Sequence, residues 1–243
     1  MNLIIDVGNT FVKFAVFNKN SILEKSRFEV SDFTTEFEAV CKNYKSLGNC
    51  IISSVGNFDP EYLEQVSDKL HIVFLDSNTP VPFKNLYQTP TTLGVDRLAL
   101  VSASAVQYPE KNVLIIDAGT CITYDFINEQ NEYLGGAISP GIQMRYKSLH
   151  NLTAKLPLLN IKMPERLIGD SSEEAIHSGV ILGVISEIDG AIDAYKLKYA
   201  DLTVILTGGN ANFLSKQLKS SIFANSNFLL EGLNYILQFN LNA

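Results

Sequence analysis

One motif occurs twice in this chain, and the distance between its copies constrains the fold more than any other feature. Leu3-Ile4-Ile5-Asp6-Val7-Gly8-Asn9-Thr10 returns as Leu114-Ile115-Ile116-Asp117-Ala118-Gly119-Thr120, and the runs that follow the two copies, Phe11 to Asn18 and Cys121 to Asn128, are also alike. A short apolar run ending in an acid, a glycine turn carrying a threonine, and a second apolar run read as a β-hairpin. The step from Leu3 to Leu114 is 111 residues, close to half of the 243-residue chain. Self-similarity on that scale predicts two related lobes, each opening with the same hairpin. Their expected bounds are 1–112 and 113–243.

The segments between and after the hairpins alternate in type. Ser21 to Val30 extends the first hairpin with a third strand, and Phe33, Phe37, Val40, Cys41 and Tyr44 recur at helical spacing. A strand at Cys50 to Val55, a helix from Pro60 to Leu70, a strand at Ile72 to Leu75 and a helix from Val95 to Tyr108 follow. In the second half Glu132 to Ser139 continues the sheet, and Pro140 and Gly141 open a helix. Ser171 to Tyr199 is one long helical stretch, Thr203 to Thr207 is a β-branched strand, and Ala211 to Leu218 and Leu229 to Phe239 close the chain as helices. Strands and helices mixed throughout define an α/β protein.

Composition removes several functional classes. With 19 basic and 26 acidic residues the formal net charge is −7, and no cluster of Lys and Arg interrupts it. Nucleic acid is therefore not the expected partner, since phosphate-backbone affinity needs a concentrated basic patch. Cys41, Cys50 and Cys121 have neither the spacing of a zinc site nor the density of a disulfide scaffold. The apolar run after Met1 ends at Asp6, and no stretch approaches the ~20 apolar residues of a membrane span. The expectation is a cytoplasmic protein without membrane contact.

A strand-end Asp followed by Gly and a hydroxyl suits nucleotide phosphates. Glycine lets backbone amides approach the phosphate oxygens, the threonine adds a donor, and the acid can hold hydrated Mg²⁺. Asp-x-Gly alone also serves as a plain turn, but two copies could grip a polyphosphate from both sides. Thr207-Gly208-Gly209-Asn210 fits either backbone access to a purine or ribose, or a tight turn where a helix begins. Gly94-Val95-Asp96-Arg97 stands at the head of a helix. It is either a favourable first-turn acid beside a surface arginine, or a carboxylate that takes a hydroxyl proton beside a guanidinium that clamps a substrate carboxylate. His71, His150 and His177 lack metal-ligand spacing and read as surface or core-edge residues. Of Tyr124 and Asp125, alternation turns one inward. The run Gly179 to Ile185 combines apolar residues with small glycines and is the expected dimer seam.

In order along the chain, Asp6-Val7-Gly8-Asn9-Thr10 with Lys13, Ser53-Ser54-Val55, Gly94-Val95-Asp96-Arg97, Asp117-Ala118-Gly119-Thr120, Tyr133 to Gly141, Thr153 to Pro157 and Thr207-Gly208-Gly209 resemble a type III pantothenate kinase, within the sugar kinase, Hsp70 and actin superfamily. That resemblance implies two ribonuclease-H-like (actin-like ATPase) lobes with mixed sheets, a homodimer, and ATP-dependent phosphorylation of pantothenate, the first step of coenzyme A synthesis. It also implies site residues. Asp6, Val7, Gly8, Asn9, Thr10, Phe11, Val12 and Lys13 form the first phosphate hairpin and Thr120 is a second phosphate contact. Tyr87, Gly94, Val95, Asp96 and Arg97 bind pantothenate, with Asp96 as proton acceptor. Asp117 helps hold a monovalent cation, K⁺ or NH₄⁺, alongside Mg²⁺. Ser172, where the family usually carries threonine, reaches pantothenate across the dimer. Asn57 to Pro60 departs from the family pattern, with no functional meaning attached. The alternatives are a catalytically silent regulatory relative, or a kinase of the same superfamily acting on another small hydroxy compound.

Overall fold

The computed structural model describes residues 1–8, 11–54 and 60–242. The chain forms two compact units, Met1–Pro109 joined by Asn227–Ala243, and Glu110–Ser226. The first begins with strands β1 (Asn2–Val7), β2 (Phe11–Asn18) and β3 (Ser21–Glu29), then α1 (Phe33–Asn43), β4 (Asn49–Ser54), α2 (Pro60–Ser67), β5 (His71–Phe74), β6 (Lys84–Asn85) and α3 (Val95–Gln107). The second contains β7 (Asn112–Ala118), β8 (Cys121–Ile127), β9 (Glu132–Pro140), α4 (Ile142–Asn151), α5 (Ser172–His177), α6 (Gly183–Lys198), β10 (Leu202–Thr207), α7 (Ala211–Leu214) and β11 (Phe223–Ala224). The chain then returns to the first unit with α8 (Phe228–Leu241).

The duplication read from sequence extends to sheet topology. The first unit orders its strands β3-β2-β1-β4-β5, and within the second the order β9-β8-β7-β10-β11 repeats it strand for strand. In each, the opening hairpin and its third strand are antiparallel, while the two strands that follow a helical crossover join in parallel.

Two apolar layers sandwich the first sheet. Leu3, Ile5, Val12, Phe14 and Val16 meet Phe33, Phe37 and Val40 of α1 on one face. Ile4, Ala15, Phe17 and Ile51 meet Ala99 of α3 and Leu230, Leu233, Ile236 and Leu237 of α8 on the other. The sequence reading placed α8 with residues 113–243, but its partners lie in the first unit. At roughly 1.5–3 kcal/mol per buried side chain, those four α8 residues contribute about 6–12 kcal/mol, comparable to the whole stability of a domain. Gly232 permits the close crossing, since a Cβ there would lie 1.9 Å from the carbonyl oxygen of Ala99.

In the second unit the helices cover the face formed by Leu114, Ile116, Ala118, Ile122 and Tyr124. The helical stretch Ser172–Lys198 is long and apolar enough, by length and composition, to cross a membrane, which the sequence reading did not anticipate. Val180, Ile181, Val184, Ile188 and Ile192 on its inner face lie in this unit's core, so packing accounts for its apolar character. Its middle, Ser178–Leu182, is a π-helical turn joining α5 to α6. Alternation also misjudged β8, where Tyr124 and Asp125 are both buried. Both faces of this central strand are covered, and the Asp125 carboxylate accepts a 2.7 Å hydrogen bond from the Tyr133 hydroxyl. Helix α7 stops at Leu214, four residues short of the expected end.

Candidate active site

The first hairpin places its acid through register. Asp6, at the end of β1, faces Lys13 on β2 and Ser53 on β4. Lys13 Nζ donates to Asp6 Oδ2 at 2.9 Å, and Asp6 is almost fully buried. The ion pair therefore lets a carboxylate sit at a strand end without an uncompensated charge. On the other side of Asp6 the Ser53 hydroxyl is buried, with no hydrogen-bond partner among the described residues. Val7 and Val12 are buried and pair across the turn. The Gly8 amide donates to the carbonyl of Phe11 at 3.0 Å, closing the bend. Asn9 and Thr10, expected phosphate contacts, lie outside the described residues, as does the segment 55–59 with Val55 and Asn57.

The Gly94–Arg97 cluster forms around the head of α3. The Arg97 amide donates to Asp96 Oδ1 at 2.8 Å, fixing one carboxylate oxygen against the helix's first turn. A Cβ at Gly94 would fall 2.4 Å from that same oxygen, so a larger residue there would displace the carboxylate from the Arg97 amide. Arg97 is buried, and its guanidinium lies 5.4 Å from the centroid of the Tyr87 ring. Asp96 is half-buried and so keeps access to solvent. The structure thus brings Tyr87, Gly94, Asp96 and Arg97, expected together on sequence, into one neighbourhood of the first unit, with Val95 in the same turn.

The second hairpin repeats the bend with one residue fewer. The Gly119 amide donates to the carbonyl of Cys121 at 3.0 Å. Asp117 again stands at a strand end, but its register partners are Thr123 on β8 and Thr207 on β10, not a cation. Thr207 is buried, and the Thr123 hydroxyl is buried with no hydrogen-bond partner among the described residues. Two glycines clamp the bend. Gly208, with φ +92°, approaches so closely that a Cβ would lie 2.2 Å from Asp117 Oδ1, and a Cβ on Gly141 would lie 2.3 Å from the carbonyl oxygen of Thr120. Close approach to Asp117 explains the Gly208-Gly209 turn in the terms of a tight backbone turn. Thr120 itself is exposed at the tip.

Ser172 is the exposed first residue of α5, held by Ser171, whose hydroxyl accepts from the Glu174 amide at 3.2 Å. Further along, His177 is buried and shares a 2.7 Å hydrogen bond with the Tyr146 hydroxyl, which is a core-edge role. Burial pushes the Tyr146 phenol up to about 12. No cluster of three or more His, Cys, Asp or Glu that could hold a metal occurs among the described residues.

Sequence reasoning missed Ser53, Thr123 and Thr207 as neighbours of the two strand-end acids. One of these relations is local to a hairpin: counting outward from the second bend sets Thr123 opposite Asp117. Ser53 and Thr207 required the parallel register, which sequence does not encode locally.

Against known proteins, a family model described as type III pantothenate kinase matches residues 2–194. The type III pantothenate kinase of Christiangramia forsetii is 54% identical over 240 residues, covering 99% of each chain. That of Bacteroides fragilis is 44% identical over 243 residues, covering 99% of this chain and 98% of its own. Among solved structures, a Campylobacter jejuni protein provisionally described as a Baf family transcriptional activator aligns with a TM-score of 0.67 at 22% identity over 99% of this chain and 100% of that one. A Sinorhizobium meliloti protein provisionally described as a 2-dehydro-3-deoxygalactonokinase aligns with a TM-score of 0.56 at 11% identity, covering 100% of both chains. These likenesses bear on the fold alone, and the fold is that of the sugar kinases and actin-like ATPases, α/β with two mixed sheets.

Proposed function

The chain belongs to the type III pantothenate kinase family, and on that premise we propose the roles of its residues in transferring the γ-phosphate of ATP to the primary hydroxyl of pantothenate, the first step of coenzyme A biosynthesis. Phosphoryl transfer asks a protein chiefly for positioning and charge neutralisation. Asp96 takes the proton of the attacking hydroxyl through the carboxylate oxygen that its own helix does not occupy. Arg97 pairs with the carboxylate of pantothenate, and Tyr87 packs against that guanidinium. Asp6 to Lys13 and Thr120 hold the phosphates. The observation that carries this reading is the α3 head, where a half-buried Asp96 with one oxygen held by the helix stands beside a buried arginine that an aromatic ring supports.

Mg²⁺ binds through one or two carboxylates plus the phosphates themselves, and Asp6 is the acid available for it on the first hairpin. When bound it supplies neutralisation of phosphate charge. At the second hairpin Asp117, with the Thr123 hydroxyl, which has no hydrogen-bond partner among the described residues, and Thr207 beside it in register, offers the all-oxygen donor set that suits K⁺ or NH₄⁺. We assign the protein to the cytoplasm, as a homodimer in which Ser172 reaches the pantothenate of the partner subunit. Supporting the dimer, Gly179, Gly183 and Gly190 form an outward stripe with nothing within 4 Å of where a Cβ would stand.

The test is an ADP-release assay on purified protein with pantothenate and a panel of other small hydroxy acids. Asp96→Asn is expected to lower kcat by roughly 10²- to 10⁴-fold with substrate binding mostly kept. Unchanged turnover in that variant removes Asp96 from its role, and preference for another hydroxy acid removes pantothenate.

A further inference from the structure

The row of residues across the first sheet does not end at Lys13. Arg27 on β3 stands in register directly opposite Lys13, so Arg27, Lys13, Asp6 and Ser53 form one line across β3, β2, β1 and β4. Like charges directly opposite on neighbouring antiparallel strands are destabilising. Asp6 compensates Lys13 through the 2.9 Å ion pair, but Arg27 makes no ion pair among the described residues. Its guanidinium instead lies 3.9 Å from the centroid of the ring of Phe11, the first residue of β2 after the phosphate bend. A flat ring under a planar cation restricts its orientation without consuming its five edge donors.

A compensated lysine, and beside it a pre-oriented arginine with no ion pair among the described residues, leave this row with a net positive charge that suits an anion. We infer that Arg27 is a further phosphate-binding residue, which holds the nucleotide's polyphosphate from the outer strand while Phe11 orients it. The inference rests on the reading that the Asp6–Lys13 hairpin binds phosphate. It assigns Arg27 to positioning and affinity, not to the proton transfer.

Arg27→Gln, assayed on the full chain, is expected to raise KM for ATP about tenfold, the loss of one charge-assisted contact at an exposed site. KM for pantothenate stays unchanged, the thermal midpoint does not fall, and KM for ATP depends less steeply on salt. Inorganic tripolyphosphate, as a competitive inhibitor against ATP, weakens by a similar factor, and Arg27→Lys recovers part of the loss. If Arg27→Gln leaves KM for ATP unchanged while Lys13→Met raises it, the inference fails and the phosphate hairpin stands. If neither variant changes it, the reading of that hairpin falls and this inference with it. A raised KM for ATP with unaltered tripolyphosphate inhibition places Arg27 on the nucleoside and overturns the assignment.

Discussion

Asp6 and Asp117 stand at matching strand ends in two sheets that share a five-strand order, yet the rows they belong to carry net charges of opposite sign. Across the first sheet the row reads Arg27, Lys13, Asp6, Ser53, two cations against one anion. Across the second it reads Ile138, Thr123, Asp117, Thr207, one anion among hydroxyls and an aliphatic side chain. Duplication preserved the bend and the acid, and divergence at two neighbouring positions changed what each acid can attract. The first row suits phosphate. The second leaves a carboxylate with hydroxyl oxygens around it and no basic residue in its row, which suits a cation.

Three substitutions break or sharpen that contrast. The largest effect is expected from Lys13→Met, which removes the first row's compensation and leaves Asp6 buried without its ion pair. Measured by steady-state kinetics, kcat/KM for ATP should fall roughly 100-fold, about 2.7 kcal/mol. A change below threefold would mean that the two rows do not differ in function. Next, Gly208→Ala places a Cβ where Asp117 Oδ1 lies, at a φ of +92° that side chains rarely adopt. Thermal or denaturant unfolding should report a loss of about 2 kcal/mol; an unperturbed midpoint would show that the second bend tolerates what its geometry forbids. The smallest effect is Thr123→Val, which removes a buried hydroxyl without a hydrogen-bond partner among the described residues. In K⁺-free buffer it should be neutral or stabilising by up to about 1 kcal/mol, while the K⁺ concentration for half-maximal activity rises by roughly threefold. Activation by K⁺ that is indifferent to this change would take Thr123 out of the cation's surroundings.

Much of the fold was legible because the repeat is local. Each hairpin is written in about sixteen consecutive residues by two apolar runs and a glycine turn, and the two sheets share a five-strand order that starts from it. What escaped sequence reading depends on distant packing. Residues 228–241 show an apolar helical pattern, but nothing in that pattern says that Gly232 must meet Ala99. The π-helical turn at Ser178–Leu182 leaves no composition signature, and the double burial of Tyr124 and Asp125 reflects cover on both faces of β8. In the candidate site, Asp96 and Arg97 could be named because they are adjacent in sequence. The aromatic support of Arg97 by Tyr87 joins positions ten residues apart through a loop, and the solitary charge of Arg27 emerges only from cross-strand register.

The return of α8 also sets an order of assembly. As the polypeptide leaves the ribosome, the hydrophobic underside of the first sheet, at Ile4, Ala15, Phe17 and Ile51, has only the cover that α3 provides until Leu230 to Leu237 arrive, after the entire intervening unit has been synthesised. The half of the molecule that is begun first is therefore finished last, and during translation its greasy surface is the one most in need of a chaperone.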